Sequence, residues 1–215
     1  LPKEKWIDKR REDILDAPYF HVVFTVPQEL NPLIYSNQQL LYDALYHSVS
    51  ATINELTADS KHLGAKVGYI CVLHTWGSEM NFHPHVHVIL LGGGLTVKNQ
   101  WRDNGEEFFL PVKVLSKVFR GKYMDELKSL YQDNKLEFHG SSEKYRNSYT
   151  FKELLNTCYE KDWVPHCKKT FNGAQSVINY LGKYTHRIAI SNHRIIRMDE
   201  NSVTYSVKDY REKGK

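Results

Sequence analysis

The chain has 215 residues, 41% hydrophobic and 13% aromatic, with 14 tyrosines and a formal charge of +4. That supports one large cored domain, and the mildly basic, interspersed charge permits an anionic partner without specifying it. Three cysteines without a CxxC spacing argue against a disulfide framework and fit a reducing cytoplasm. No apolar run approaches the ~18 residues of a membrane span, and no signal peptide opens the chain.

Residues 1–16 read as a leading polar helix that starts without Met, as a piece of a longer protein would. Tyr19–Pro27 (YFHVVFTVP) is a β-branched and aromatic run closed by proline, which predicts a strand. From Ser36 to Leu56, Leu41, Leu45, Val49, Thr52 and Leu56 recur at helical spacing behind a Ser/Asn cap. Lys66–Gly77 is a second strand and Phe82–Leu91 a third, which the short polar turn at Glu79–Met80 would join as an antiparallel hairpin. Residues 92–162 are predicted to hold an irregular and helical insertion: a turn-rich excursion over Gly92–Pro111, helical periodicity over Val112–Asn134, and a polar stretch over 139–162. Trp163–Lys169 reads as a further strand, a helix follows from Gly173, and the chain ends in a hairpin turning at Asp199–Asn201. The sum is one α+β domain over 1–215, a central antiparallel sheet with helices on one side.

The run HPHVHVILL (His83–Leu91) carries imidazoles on a strand that otherwise reads as core. Residues two apart on a strand share a face and lie ~7 Å apart, so His85 and His87 can converge on one ion. A turn at Glu79–Met80 would set His74 opposite His85 on that face. Three imidazoles from neighbouring strands would make a facial ligand set, as catalytic metals require. Glu79 is the alternative oxygen ligand, and His83, at the strand entrance, is expected to line the groove.

Downstream, NYLGKYTHR places Tyr180 and Tyr184 four residues apart, one turn on a common helix face, with Lys183, His186 and Arg187 around them. A phenol has a pKa of ~10 and is a poor nucleophile unless polarised. Positive charge and a metal holding a phosphodiester would supply that polarisation. Attack would then give a 5′-phosphotyrosine and a free 3′-OH, conserving the ester for rejoining. Basic and aromatic side chains suited to single-stranded DNA are Trp76, Phe82 and Trp101 near the histidines, and Lys183, Arg187, His193 and Arg194 near the tyrosines. The loop after Gly92–Gly94 would approach DNA closely, because glycine lets the backbone come near.

HPHVHVIL followed by YLGKYTHR resembles the HUH endonuclease superfamily, and more narrowly the two-tyrosine rolling-circle transposases of the insertion-sequence ninety-one type. PYFHVVFTVP, KHLGAKVG, VLHTWG, FFLPVKVLS, YLGKYTHRIAISNHR and VKDYR are similar to that family's segments, in order, over nearly the whole chain. The resemblance implies an HUH fold, with His85 and His87 as the metal-binding pair and Tyr180 and Tyr184 as nucleophiles. It implies a divalent cofactor, Mg²⁺ or Mn²⁺, and single-stranded DNA as substrate. The third ligand varies across the superfamily, so His74 rests on the hairpin geometry. Family members carry a cysteine-rich zinc segment upstream, which this chain lacks. No GxxxxGK[ST] phosphate loop occurs. The alternatives are a rolling-circle replication initiator or relaxase of the same chemistry, a non-cleaving single-strand-binding module, and a small-molecule zinc hydrolase.

Overall fold

The computed structural model describes residues 14–77, 79–103, 110–169, 176, 190 and 194–207. Of the leading helix predicted over 1–16, residues 14–16 are described and are not helical, and the rest lies outside the described residues, as do Tyr180, Tyr184, Lys183, Arg187 and His193 and all but Ser176 and Ile190 of the segment 170–193.

Strand β1 (Tyr19–Thr25) alternates as its sequence requires. Phe20, Val22 and Phe24 are buried on one face, and Tyr19, His21, Val23 and Thr25 occupy the other. β2 (Lys66–Trp76) and β3 (Phe82–Leu95) form the predicted antiparallel hairpin. Its turn is closed by Gly77 and Met80, whose backbone N–H groups donate to Asn81 and Gly77 oxygens. β3 also pairs antiparallel with β1, and β5 (His166–Lys169) joins β1's other edge, giving the order β2-β3-β1-β5. The histidine strand is therefore central, hydrogen-bonded on both sides.

β3 does not stop at Leu91. It runs through Gly92–Gly94 and pairs there with β4 (Trp101–Asp103), where sequence predicts an irregular excursion. A Cβ on Gly94 would meet the Lys66 carbonyl oxygen at 2.2 Å, and one on Gly92 would meet the Pro18 oxygen at 2.9 Å. The glycines permit close packing of neighbouring strands rather than a turn, and they are buried.

Four helices complete the described fold: α1 (Asn31–Ser36), α2 (Gln38–Ala58), α3 (Val112–Gln132) and α4 (Ser148–Glu160). The predicted stripe Leu41, Leu45, Val49, Thr52 and Leu56 is buried on α2. The predicted side-chain cap is not made. Asn37 stands at the N-cap position, but its amide donates to the Leu33 and Glu137 carbonyls and accepts from the Glu137 N–H at 2.7 Å. It ties two distant segments instead. On α3, Leu115, Phe119, Tyr123, Met124 and Leu127 face inward, with the Phe119 ring 5.0 Å from Phe24 and 5.5 Å from Trp163. That contact links helix layer to sheet. The unassigned polar stretch contains a 3-10 segment (Gly140–Arg146) and then α4, which buries Phe151, Leu154, Leu155 and Cys158 at helical spacing. Asn147 caps α4 by accepting from Tyr149 N at 2.9 Å.

The predicted C-terminal hairpin is present as β6 (Ile195–Met198) and β7 (Val203–Tyr205), a separate two-stranded sheet. Asp199 closes it by accepting from the Asn201 and Ser202 N–H groups. Tyr205 donates its phenol proton to the Glu79 carbonyl at 3.0 Å, joining this hairpin to the β2–β3 turn. Among the described residues, no helix is long and apolar enough to cross a membrane.

Candidate metal centre

Pairing register decides which side chains meet. On β2, His74 stands opposite His85 and Val72 opposite His87; on β1, Thr25 stands opposite His85 and Val23 opposite His87. Paired residues on a sheet share a face, so the three histidines project from the side opposite Phe20, Val22, Phe24, Val86 and Val88. His74 and His87 are buried, and His85 is half-buried.

The His85 Nδ1 lies 2.7 Å from the His83 carbonyl oxygen. A carbonyl only accepts, so Nδ1 carries the proton and donates. The His85 Nε2 lies 3.1 Å from the His87 Nε2. Two nitrogens on one ion at ~2.1 Å each stand ~3.0 Å apart at a right angle and ~3.4 Å apart at the tetrahedral angle. The observed spacing falls inside that range. The His74 ring centroid is 4.5 Å from that of His87 and 5.5 Å from that of His85. One ligand atom from each of the three lies within 4.8 Å of the others. This donor set fits a divalent metal. Glu79 does not join it: it is exposed in the turn, outside the histidine cluster.

The other predicted side chains divide by position. His83 is half-buried with its ring 5.2 Å from that of His85, and burial lowers its pKa, favouring the neutral imidazole. Trp76 stacks on His74 at 4.9 Å with 16° between planes, so it braces that imidazole. Phe82 packs edge-on against Tyr35 at 5.5 Å, and Asn31 donates to its carbonyl at 2.9 Å, pinning the start of β3 to α1. Arg194 donates to the Ser206 carbonyl at 2.8 Å and lies over the Tyr205 ring, on the hairpin joined to the Glu79 turn. Trp101 is not brought to the histidines. It pairs with Leu95, eight residues along β3 from His87, which is ~26 Å of strand. Its indole N–H donates to Asp103 at 2.8 Å.

Two residues at the site escaped the sequence reading. His21 on β1 places its Nε2 2.9 Å from the His87 Nδ1, with the rings stacked at 5.1 Å and 10°. The alternation of YFHVVFT already puts His21 on the face opposite the buried phenylalanines; what was missing was the pairing of Val23 with His87. Tyr46 on α2 accepts from the Leu73 N–H at 2.9 Å, fixing β2 immediately before His74.

Fold and site together define an α+β protein whose central hairpin carries an all-histidine cluster fitted to a metal ion. The chain belongs to a transposase family: residues 68–215 match the family model described as "Putative transposase". It is 37% identical over 212 residues to "Putative transposase y4qJ" of Sinorhizobium fredii (strain NBRC 101917 / NGR234), spanning 98% of this chain and 53% of that protein. It is 27% identical over 195 residues to "Transposase for insertion sequence element IS801" of Pseudomonas savastanoi pv. phaseolicola, spanning 89% of this chain and 45% of that one. The chain thus spans about half the length of the curated relatives it matches. Among solved structures, a metal-bound conjugative relaxase TrwC in complex with oriT DNA aligns with a TM-score of 0.41 at 18% identity, over 53% of this chain and 44% of that chain.

Proposed function

We propose that this chain is the catalytic domain, over 1–215, of a transposase that nicks and rejoins single-stranded DNA through 5′-phosphotyrosine intermediates, as in rolling-circle transposition. The observation that carries the reading is the cluster of His74, His85 and His87, with ligand atoms within 4.8 Å, in a chain of a transposase family. His85, His87 and His74 would hold Mg²⁺ or Mn²⁺. When bound, the ion supplies charge neutralisation at the phosphate oxygens. Tyr180 and Tyr184 are the nucleophiles on this reading, by their spacing in NYLGKYTHR and their match to the two-tyrosine pattern. A tyrosine Oη forms the new bond to phosphorus and the P–O3′ bond breaks. The proton lost by the phenol is balanced by the one gained at the 3′-hydroxyl. The second tyrosine can then handle a second strand while the first holds its end. Lys183, Arg187 and Arg194, with His83 and Trp76 at the histidine face, would contact the DNA strand. The three cysteines, all free, suit the reducing cytoplasm in which such an enzyme would act.

The direction of the linkage sets the test. DNA ending at the chain's own element is labelled at its 3′ end, incubated with protein and Mn²⁺, and run on a denaturing gel. The 3′ label should migrate with the protein and a 5′ label should leave as a shorter free strand. EDTA should abolish both and Mn²⁺ should restore them. Binding without any covalent band would make the chain a recognition module instead, and cleavage in excess chelator would remove the metal.

A further inference from the structure

We infer that His21 is a positioning residue for the metal centre: its Nε2 accepts the Nδ1 proton of His87 and thereby turns the lone pair of His87 Nε2 toward the ion. The inference rests on the metal reading above and adds a residue that the histidine motif does not contain.

The geometry gives His21 this role and denies it that of a ligand. Its Nε2 sits 2.9 Å from His87 Nδ1, whereas the nitrogen of His87 that approaches His85 is Nε2, at 3.1 Å. The two nitrogens lie on opposite sides of the imidazole, so His21 stands behind His87 and cannot share its ion. A neutral imidazole has one proton and one lone pair, and the partner of one nitrogen decides which state the other presents. For His87 Nε2 to ligate as a neutral donor, Nδ1 must carry the proton, and that proton needs an acceptor. His21 Nε2 is placed to be that acceptor, with its own proton at Nδ1. His85 solves the same problem with the His83 carbonyl at 2.7 Å. The two ligands on β3 are thus oriented from different sources, one by backbone of its own strand and one by a side chain of β1.

Stacking alone would also place a ring here, because the His21 and His87 planes are 10° apart. The experiment separates the two contributions. His21→Phe keeps a ring and removes the acceptor; His21→Gln removes the ring and keeps an acceptor. Mn²⁺ affinity is measured by calorimetry on the folded full chain, alongside thermal stability without metal. Loss of an outer partner of a metal-bound histidine typically costs 10–100-fold in metal affinity. His21→Phe should weaken Mn²⁺ binding by about that factor, and His21→Gln should restore most of it. Should His21→Phe fail to fold, ¹⁵N NMR of the parent loaded with Mg²⁺ decides alone: His87 should carry its proton on Nδ1. Unchanged affinity in His21→Phe, equal loss in both variants, or a His87 proton on Nε2 with metal bound would each overturn the role. His87→Ala serves as the reference. If it leaves Mn²⁺ affinity intact, the metal reading fails rather than the role of His21.

Discussion

Gly94→Ala should be among the most costly single-methyl additions in this molecule. The added Cβ would stand 2.2 Å from the Lys66 oxygen and 2.7 Å from its carbonyl carbon, both backbone atoms that no rotamer change can clear. Relief requires β2 and β3 to part at the pairs Lys66–Leu95 and Val67–Gly94. Overpacking typically costs ~1–3 kcal/mol and each forfeited backbone hydrogen bond ~1 kcal/mol, so about 2–4 kcal/mol is expected. For a domain of this size that corresponds to a fall in Tm of about 4–16 °C. Gly121→Ala is the control, because nothing lies within 4 Å of its added methyl and it sits inside α3. There alanine's helix propensity should stabilise by up to about 1 kcal/mol. Thermal unfolding by circular dichroism compares the two. The same substitution should move Tm in opposite directions, and a Gly94→Ala protein as stable as its parent would refute the close-packing account of the triple glycine.

His74→Ala should weaken Mn²⁺ binding in calorimetry while Glu79→Gln leaves it unchanged, since only His74 lies in the cluster; the reverse would make Glu79 the third ligand. Asn37→Ala leaves the Glu137 N–H and two carbonyls without that partner, and should cost about 1–3 kcal/mol in urea unfolding, far more than loss of an exposed polar contact. Lys161 holds the Glu29 carboxyl below its ordinary value of 4.5 by hydrogen bonding. A depressed folded value means stabilisation that is full above 4.5 and lost as pH falls through the folded value. Lys161→Met should therefore cost up to about 1 kcal/mol at neutral pH. The gap to the parent should close in acid, and a gap that widens there would have the wrong sign.

The sheet was legible because its strands follow period two with β-branched residues, and the hairpin because a polar turn separates two such runs. That pairing carried the most consequential inference, His74 opposite His85. Gly92–Gly94 were misread because glycine marks both a turn and a close strand approach, and only the neighbouring Lys66 and Pro18 backbones distinguish them. α4 was missed because its buried Phe151, Leu154, Leu155 and Cys158 alternate with polar residues in a stretch whose charge dominates. His21 was missed for a different reason. Its strand and face were readable, but its contact with His87 depends on the β1–β3 register, which no local pattern in either strand sets. Trp101 was misplaced because nearness along the sequence was read as nearness in space, while an extended strand carries it away.

The central claim is that a tyrosine of NYLGKYTHR takes the DNA, and peptide mapping of the trapped adduct tests it most directly. Protein is incubated with single-stranded DNA and Mn²⁺, denatured and proteolysed, and the DNA-bearing peptide is sequenced by mass spectrometry. Linkage should be found at Tyr180 or Tyr184 in the parent, at the remaining tyrosine in each single Phe variant, and nowhere in Tyr180→Phe/Tyr184→Phe, which should still bind DNA. An adduct confined to one of the two in every variant and substrate would leave a one-tyrosine enzyme, and an adduct on any other residue, or none, would contradict the claim.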